Sequence, residues 1–263
     1  MAHPVRVSAV SFLNARPLVH GLEKRRDLFE VSVDLPARCA ERLHTGDVDL
    51  GLVPAIESLR GDYRLVPDMA IGSDGAVLSV AVFTTRPIGE VRTLALDASS
   101  RTSVALTRIL CARLWKIAPE QQAMVPDLPR MLEQADAALV IGDPAFDADP
   151  VALGVEKIDL GQAWRELTGL PFVYAAWTGR PGALSPAHLT ALAEVRDAGL
   201  AARPAIAADY AAATGRPAAA VESYLRDNLS YAFGPREQAG LERFFALAIE
   251  VGLVPPGPAP RFY

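Results

Sequence analysis

The chain is short of the residue types and runs that announce many common functions. Only two cysteines occur in its 263 residues, Cys39 and Cys111, each set among Ala, Leu and Ile in a helical pattern. They are too few for a disulfide framework and lack ligand spacing, so they read as buried, reduced core residues. The four histidines, His3, His20, His44 and His188, are scattered, no two of them at ligand spacing, and suggest no metal site. No apolar run approaches the roughly 18–20 residues of a membrane-spanning helix. The opening MAHPVRVSAVSFLNARPL is interrupted by Arg6, Ser8 and Ser11, with no small-residue cleavage site after it. That argues against a secretory leader and leads us to expect a cytoplasmic protein. Lys and Arg form no block, and 26 basic against 31 acidic residues leave a net charge of -5. Neither nucleic acid nor a membrane is therefore an expected partner. A GxGxxG fingerprint, a P-loop and a Ser–His–Asp pattern are also missing. Positive charge for an anionic ligand must be local, from single arginines or helix N-termini.

What is present is a globular composition, 51% hydrophobic and 22% charged, in a chain long enough for two units with separate cores. VRVSAV (5–10), FEVSVDL (29–35), VDLGLV (48–53) and AVLSVAVFTT (76–85) read as strands. Between them PLVHGLEKR (17–25) and PARCAERLHTG (36–46) read as helices, each opened by a proline suited to a first turn. A second cycle follows: strand TLALD (93–97), helix SSRTSVALTRILCARLW (99–115) and strand DAALVIGD (136–143). VEKIDL (155–160) and PFVYAAW (171–177) look like two more strands, after which the pattern turns helical to the end. The β-α-β order predicts parallel strands covered by helices, an α/β chain of two lobes with a C-terminal helical segment. Residues 1–86 and 179–263 are expected in one lobe and 87–178 in the other. The crossings near Thr85–Pro87 and Trp177–Arg180 would then act as a hinge, with a cleft between the lobes.

In open parallel sheets ligands gather at the carboxyl ends of strands. After strand 5–10, Asn14 and Arg16 stand just ahead of a helix, where an amide can donate and a guanidinium can fork onto a carboxylate. A helix cap and a solvated charge are the plainer readings. Ser99-Ser100-Arg101-Thr102-Ser103 opens the long helix, where unpaired N–H groups, hydroxyls and the helix dipole together favour an anion. One hydroxyl suffices for a cap; four and an arginine exceed that need. Ser79, near the Asp74-Gly75 turn, is either a functional or an inward strand hydroxyl. Asp143 could hold a substrate hydroxyl, pair with Arg101, or cap the next helix. Trp164 and Trp177 read as core aromatics. Residue chemistry alone thus points to a site for a small carboxylate.

These same motifs, in this order, resemble the MqnA/MqnD family of the futalosine route to menaquinone. The matching stretches are SFLNARPL (11–18), LHTGDVDLGLVPAIE (43–57), AIGSDGAVLSV (70–80), LALDASSRTSVAL (94–106), DAALVIGDPA (136–145) and DLGQAWRELTGLPFVYAAW (159–177). The resemblance implies a periplasmic-binding-protein type II fold, mixed sheets with flanking helices, used as an enzyme. The implied reaction is loss of water from chorismate to give 3-[(1-carboxyvinyl)oxy]benzoate, a hydro-lyase step without cofactor. Carried over by position, Asn14 and Ser79 stand nearest the reacting ring, and Ser100, Arg101, Thr102 and Ser103 bind carboxylate. The sister activity of the family makes 1,4-dihydroxy-6-naphthoate and typically places a histidine on the strand that here reads LVIGD. This chain has Gly142 there, which counts against that activity. A small-carboxylate binding protein of the same fold, without catalysis, is the other alternative.

Overall fold

In the computed structural model, residues 3–257 and 260–263 are described. Strands β1 (Val5–Val10), β2 (Phe29–Asp34), β3 (Leu50–Pro54), β4 (Arg64–Ser73) and β5 (Val80–Thr84) come first along the chain. Then follow β6 (Thr93–Asp97), β7 (Glu120–Met124), β8 (Ala137–Ile141), β9 (Glu156–Asp159) and β10 (Phe172–Gly179). The helices are α1 (Arg16–Val19), α2 (Pro36–Thr45), α3 (Arg101–Leu110), α4 (Leu128–Gln134), α5 (Gly142–Asp147) and α6 (Pro150–Leu153). They continue with α7 (Leu160–Thr168), α8 (Pro186–Ala201), α9 (Arg203–Thr214), α10 (Ala218–Ser223) and α11 (Pro235–Glu250). Two compact units result. One holds the chain up to Gly72, Val173–Gly234 and the stretch ending at Tyr263; the other holds Ser73–Phe172 and Pro235–Gly257.

In the first unit the sheet order is β2-β1-β3-β10-β4. β1 lies parallel to β2 and β3, and the wholly buried β10 runs against β3 from Ala175 opposite Pro54 to Gly179 opposite Leu50. Helix α2 covers this sheet with Cys39, Ala40 and Leu43, and stops at Gly46, whose φ of 84° only glycine takes without strain. At the outer edge, Leu65 donates to the Arg261 carbonyl at 2.8 Å and accepts from Tyr263 N–H at 3.0 Å. Beneath α2, the buried Glu57 carboxylate meets His44 Nε2 at 2.7 Å and Arg60 Nε at 3.3 Å, while His44 Nδ1 meets the Tyr63 hydroxyl at 2.7 Å. A buried carboxylate is tolerated only when paired in this way.

The second unit has the sheet order β7-β6-β8-β5-β9. β6 is parallel to β7 and β8, whereas β5 runs against both of its neighbours, β8 and β9. Ala81, Phe83, Ala95, Met131, Ala138 and Val140 fill one core layer. Trp164, Phe172 and Phe244 form a cluster of edge-on rings with centroids 5.0–6.2 Å apart, which seats α11 in this unit. Cys39 and Cys111 are both buried, and burial pushes their thiols up to about 11 and about 12. As expected, they are inert core residues.

Several elements depart from the sequence expectation. The expected units were 1–86 with 179–263, and 87–178. In the structure β5 pairs into the second unit's sheet, β10 belongs to the first unit's sheet, and α11 joins the second unit. Apolar runs such as VAVFT and FVYAAW do not disclose strand direction, and each is the antiparallel member that sequence order alone assigns elsewhere. The helix expected over 17–25 breaks after Val19, because Gly21 turns left-handed at φ 78°. The strand expected over 76–85 starts only at Val80, since Leu78 has φ 63°. Strands β4 and β7 were not foreseen; Pro67 interrupts the first, and EQQAM is too polar to read as one.

Gly199 of α8 faces α1 so closely that a Cβ would lie 1.9 Å from the Pro17 carbonyl oxygen. Gly→Ala ordinarily favours a helix by about 1 kcal/mol. Here the obstacle is backbone, so Gly199→Ala should instead destabilise by about 1–3 kcal/mol. Thermal unfolding should show a melting temperature lower by roughly 2–10 °C; an unchanged or higher value would mean that the helix slides freely.

Candidate functional site

The reversed strand β5 decides what meets at one edge of the second unit. Val80 lies opposite Ile141, and Leu96 lies beside Leu139. The start of β5 therefore shares an edge with the ends of β6 and β8. Ser79, the Ser99–Ser103 loop and Gly142–Asp143 collect there from three separate parts of the chain. Gly142 N–H donates to the Ser79 carbonyl at 2.7 Å. Gly142 itself adopts φ 67°, a conformation that costs a side-chain-bearing residue about 1–2 kcal/mol.

Asp97 joins the other two segments. Its carboxylate is fully buried and accepts from Ser99 N–H at 2.8 Å, Ser99 Oγ at 2.6 Å and Ile141 N–H at 3.3 Å. Burial raises its pKa, and the Ser99 and Ile141 donors oppose that rise only in part. Sequence reading overlooked Asp97; an acid closing an otherwise apolar strand, TLALD, was the available signal.

Within the loop the hydroxyls divide their work. Ser100 is the N-cap of α3: its Oγ accepts from Ser103 N–H at 3.3 Å and donates to Ser103 Oγ at 2.9 Å. Thr102 and Ser103 lie buried in the first turn, and Arg101 is half-buried. Ser100 thus serves the helix cap. Asp143 lies in the first turn of α5, and Ser79 is fully buried. Asp74 is engaged by Arg165 and by Arg236, the latter at 2.9 Å.

In the first unit, Asn14 sits in a short 3-10 turn directly after β1. Its carbonyl accepts from the Tyr231 hydroxyl at 2.9 Å, while its side-chain Oδ1 is buried without a hydrogen-bond partner among the described residues. Leaving a buried acceptor unsatisfied costs about 1–3 kcal/mol, so this oxygen adds nothing to the stability of the fold. Its cap role is not seen. Arg16 lies 5.4 Å from the centroid of the Tyr210 ring, which holds the guanidinium in place by a cation–π contact. Trp164 and Trp177 are both fully buried; Trp164 donates to the Pro171 carbonyl at 3.1 Å, whereas Trp177 Nε1 lacks a partner among the described residues.

Comparison with known proteins agrees with this architecture. Two mixed five-stranded sheets with flanking helices make this a periplasmic-binding-protein-like α/β fold. A crystal structure of an Archaeoglobus fulgidus protein matches with a TM-score of 0.77 at 16% identity, covering 96% of this chain and 99% of that one. The periplasmic aliphatic sulphonate binding protein SsuA of Escherichia coli matches at 0.66 and 18% identity, covering 100% and 92%. A sequence model of the menaquinone biosynthesis family matches residues 5–250, and the chain belongs to that family. A Thermus thermophilus protein named chorismate dehydratase is 31% identical over 251 residues, 89% of this chain and 91% of that protein.

The buried Asp97 gives a pH signature. Because its folded pKa is raised, the native state holds this proton more tightly than the unfolded chain does. Its contribution to stability is complete below the ordinary value of 3.8 and is lost as pH rises through the folded value. Asp97→Asn removes that titration. Melts from about pH 7 down to about pH 4 should show wild type gaining on the variant as pH falls, and a constant difference would place Asp97 in an unperturbed environment.

Proposed function

We propose that the protein eliminates water from chorismate to give 3-[(1-carboxyvinyl)oxy]benzoate, acting in menaquinone biosynthesis as a cytoplasmic carbon–oxygen lyase. The observation that carries this reading is the nearly full-length similarity, on both sides, to a protein named chorismate dehydratase. Membership of the menaquinone biosynthesis family agrees with it. Among the described residues no helix is long and apolar enough to cross a membrane.

Chorismate carries a ring carboxylate and an enolpyruvyl carboxylate. Loss of the C4 hydroxyl and the C3 proton makes the ring aromatic, so the reaction is driven by its product. The protein has to fix geometry and stabilise charge as it moves. Ser100–Ser103 at the start of α3 take one carboxylate, with Thr102 and Ser103 as hydroxyl donors and Arg101 as the local positive charge. Arg16, held over Tyr210, is a second cation for an anionic substrate. The family resemblance assigns Asn14 and Ser79 to the reacting ring. An amide can hydrogen-bond but cannot serve as a useful base, so Asn14 orients the substrate or assists departure of the hydroxyl. The enolpyruvyl carboxylate itself takes the C3 proton, and Asp143 contacts a substrate hydroxyl. By the family resemblance, the left-handed Gly142 occupies the place where the sister activity typically carries a histidine.

Incubation with chorismate tests the reading directly. Appearance of an aromatic product with a new ultraviolet band is the expected result; recovery of unchanged chorismate from a protein that binds it would make this a binding module. Asn14→Ala should fold normally, because its Oδ1 bonds nothing among the described residues. Turnover by the same variant should fall by about 100-fold or more. Normal turnover in a folded Asn14→Ala protein would remove this residue from the mechanism.

A further inference from the structure

Ser79 is presented by a backbone that local preference does not support. Its N–H donates to the Val77 carbonyl at 2.8 Å, closing a three-residue turn over Leu78, whose φ is 63°. A leucine in the left-handed region at the centre of such a turn is rare and strained. Such conformations persist only when surrounding groups over-determine them. One side chain does so. The Asp159 carboxylate accepts from Leu78 N–H at 2.6 Å through Oδ2, and from Val77 N–H at 3.0 Å and 3.1 Å through its two oxygens. Asp159 ends β9 directly opposite Ala81 of β5, so the carboxylate lies alongside the loop that leads into that strand. The same group caps α7, with Oδ1 accepting from Gly161 and Gln162 N–H at 2.9 Å and 3.1 Å. Four backbone donors from two segments thus converge on one carboxylate.

We propose that Asp159 is a positioning residue for the dehydration: it clamps the strained turn at Leu78 and so fixes Ser79 at the reacting ring. This rests on the assignment of Ser79 made above. The clamp and the cap can be separated by substitution. Asp159→Ser keeps an effective helix cap but is too short to reach both turn amides. Asp159→Asn keeps the shape and an oxygen for the cap, and sets an amide NH2 against Leu78 N–H. With chorismate as substrate, both variants should melt close to wild type, with kcat at least 10-fold lower and KM within about threefold. A purely structural role predicts lower melting temperatures and unchanged kcat per folded protein. Ser79→Ala is measured in parallel. If Ser79→Ala is inactive and both Asp159 variants turn over within twofold of wild type, the clamp is overturned and the Ser79 assignment stands. If Ser79→Ala turns over normally, the Ser79 assignment itself falls, and the clamp with it.

Discussion

Strand direction is the constraint on which the layout of the second unit depends. In a purely parallel sheet the residues before a strand and those after its neighbours lie at opposite edges. Because β5 runs against β8, the residues that precede it fall beside the ends of β6 and β8. Three loops distant in sequence then share one edge, and two carboxylates bind them: Asp97 joins the β6 and β8 ends, and Asp159 takes the turn before β5. A single strand turned the other way would scatter Ser79 from the α3 start. The first unit holds a counterpart in β10, inserted against β3.

Both acids work through backbone amides. A carboxylate that accepts several main-chain N–H groups fixes loops without the rotamer entropy lost when two long side chains pair. It also leaves arginines for other duties. Arg16 is steadied by an aromatic ring, with no acid paired to it among the described residues. The Glu57–His44–Tyr63 group of the first unit shows the other solution, a buried acid matched by side chains. There the carboxylate braces α2 against the turn after β3, with no loop to position.

Much of the fold was legible because its signals are local. β6 and β8 are short apolar runs ending at polar residues, β1 and β3 are short runs rich in valine and leucine, and α2 and α3 carry an initiating proline or serine and a periodic apolar face. Membership of each unit was less legible, because it depends on which way β5 and β10 run, and an all-apolar strand carries no mark of direction. β7 was hidden by its glutamines, which an edge strand tolerates. At the site, hydroxyls and arginines announce themselves by type and place, so Asn14, Arg16 and the SSRTS loop were named from sequence. Asp97 and Asp159 were not, since a carboxylate that accepts backbone N–H groups looks in sequence like any strand-end or helix-cap acid. What sets them apart is the number of amides brought to them, and only the folded chain does that.

The left-handed Gly142 has an evolutionary consequence. A new base could in principle arise at that position by one substitution, but any side chain there must carry the φ of 67° or give up the bond to Ser79. The penalty of about 1–2 kcal/mol is a sizeable part of the roughly 5–15 kcal/mol by which domains are stable. Moving the bond instead would disturb the backbone that carries Ser79. A lineage that gains a side chain at this position must therefore remodel the backbone as well, a change of main-chain conformation rather than of a single codon.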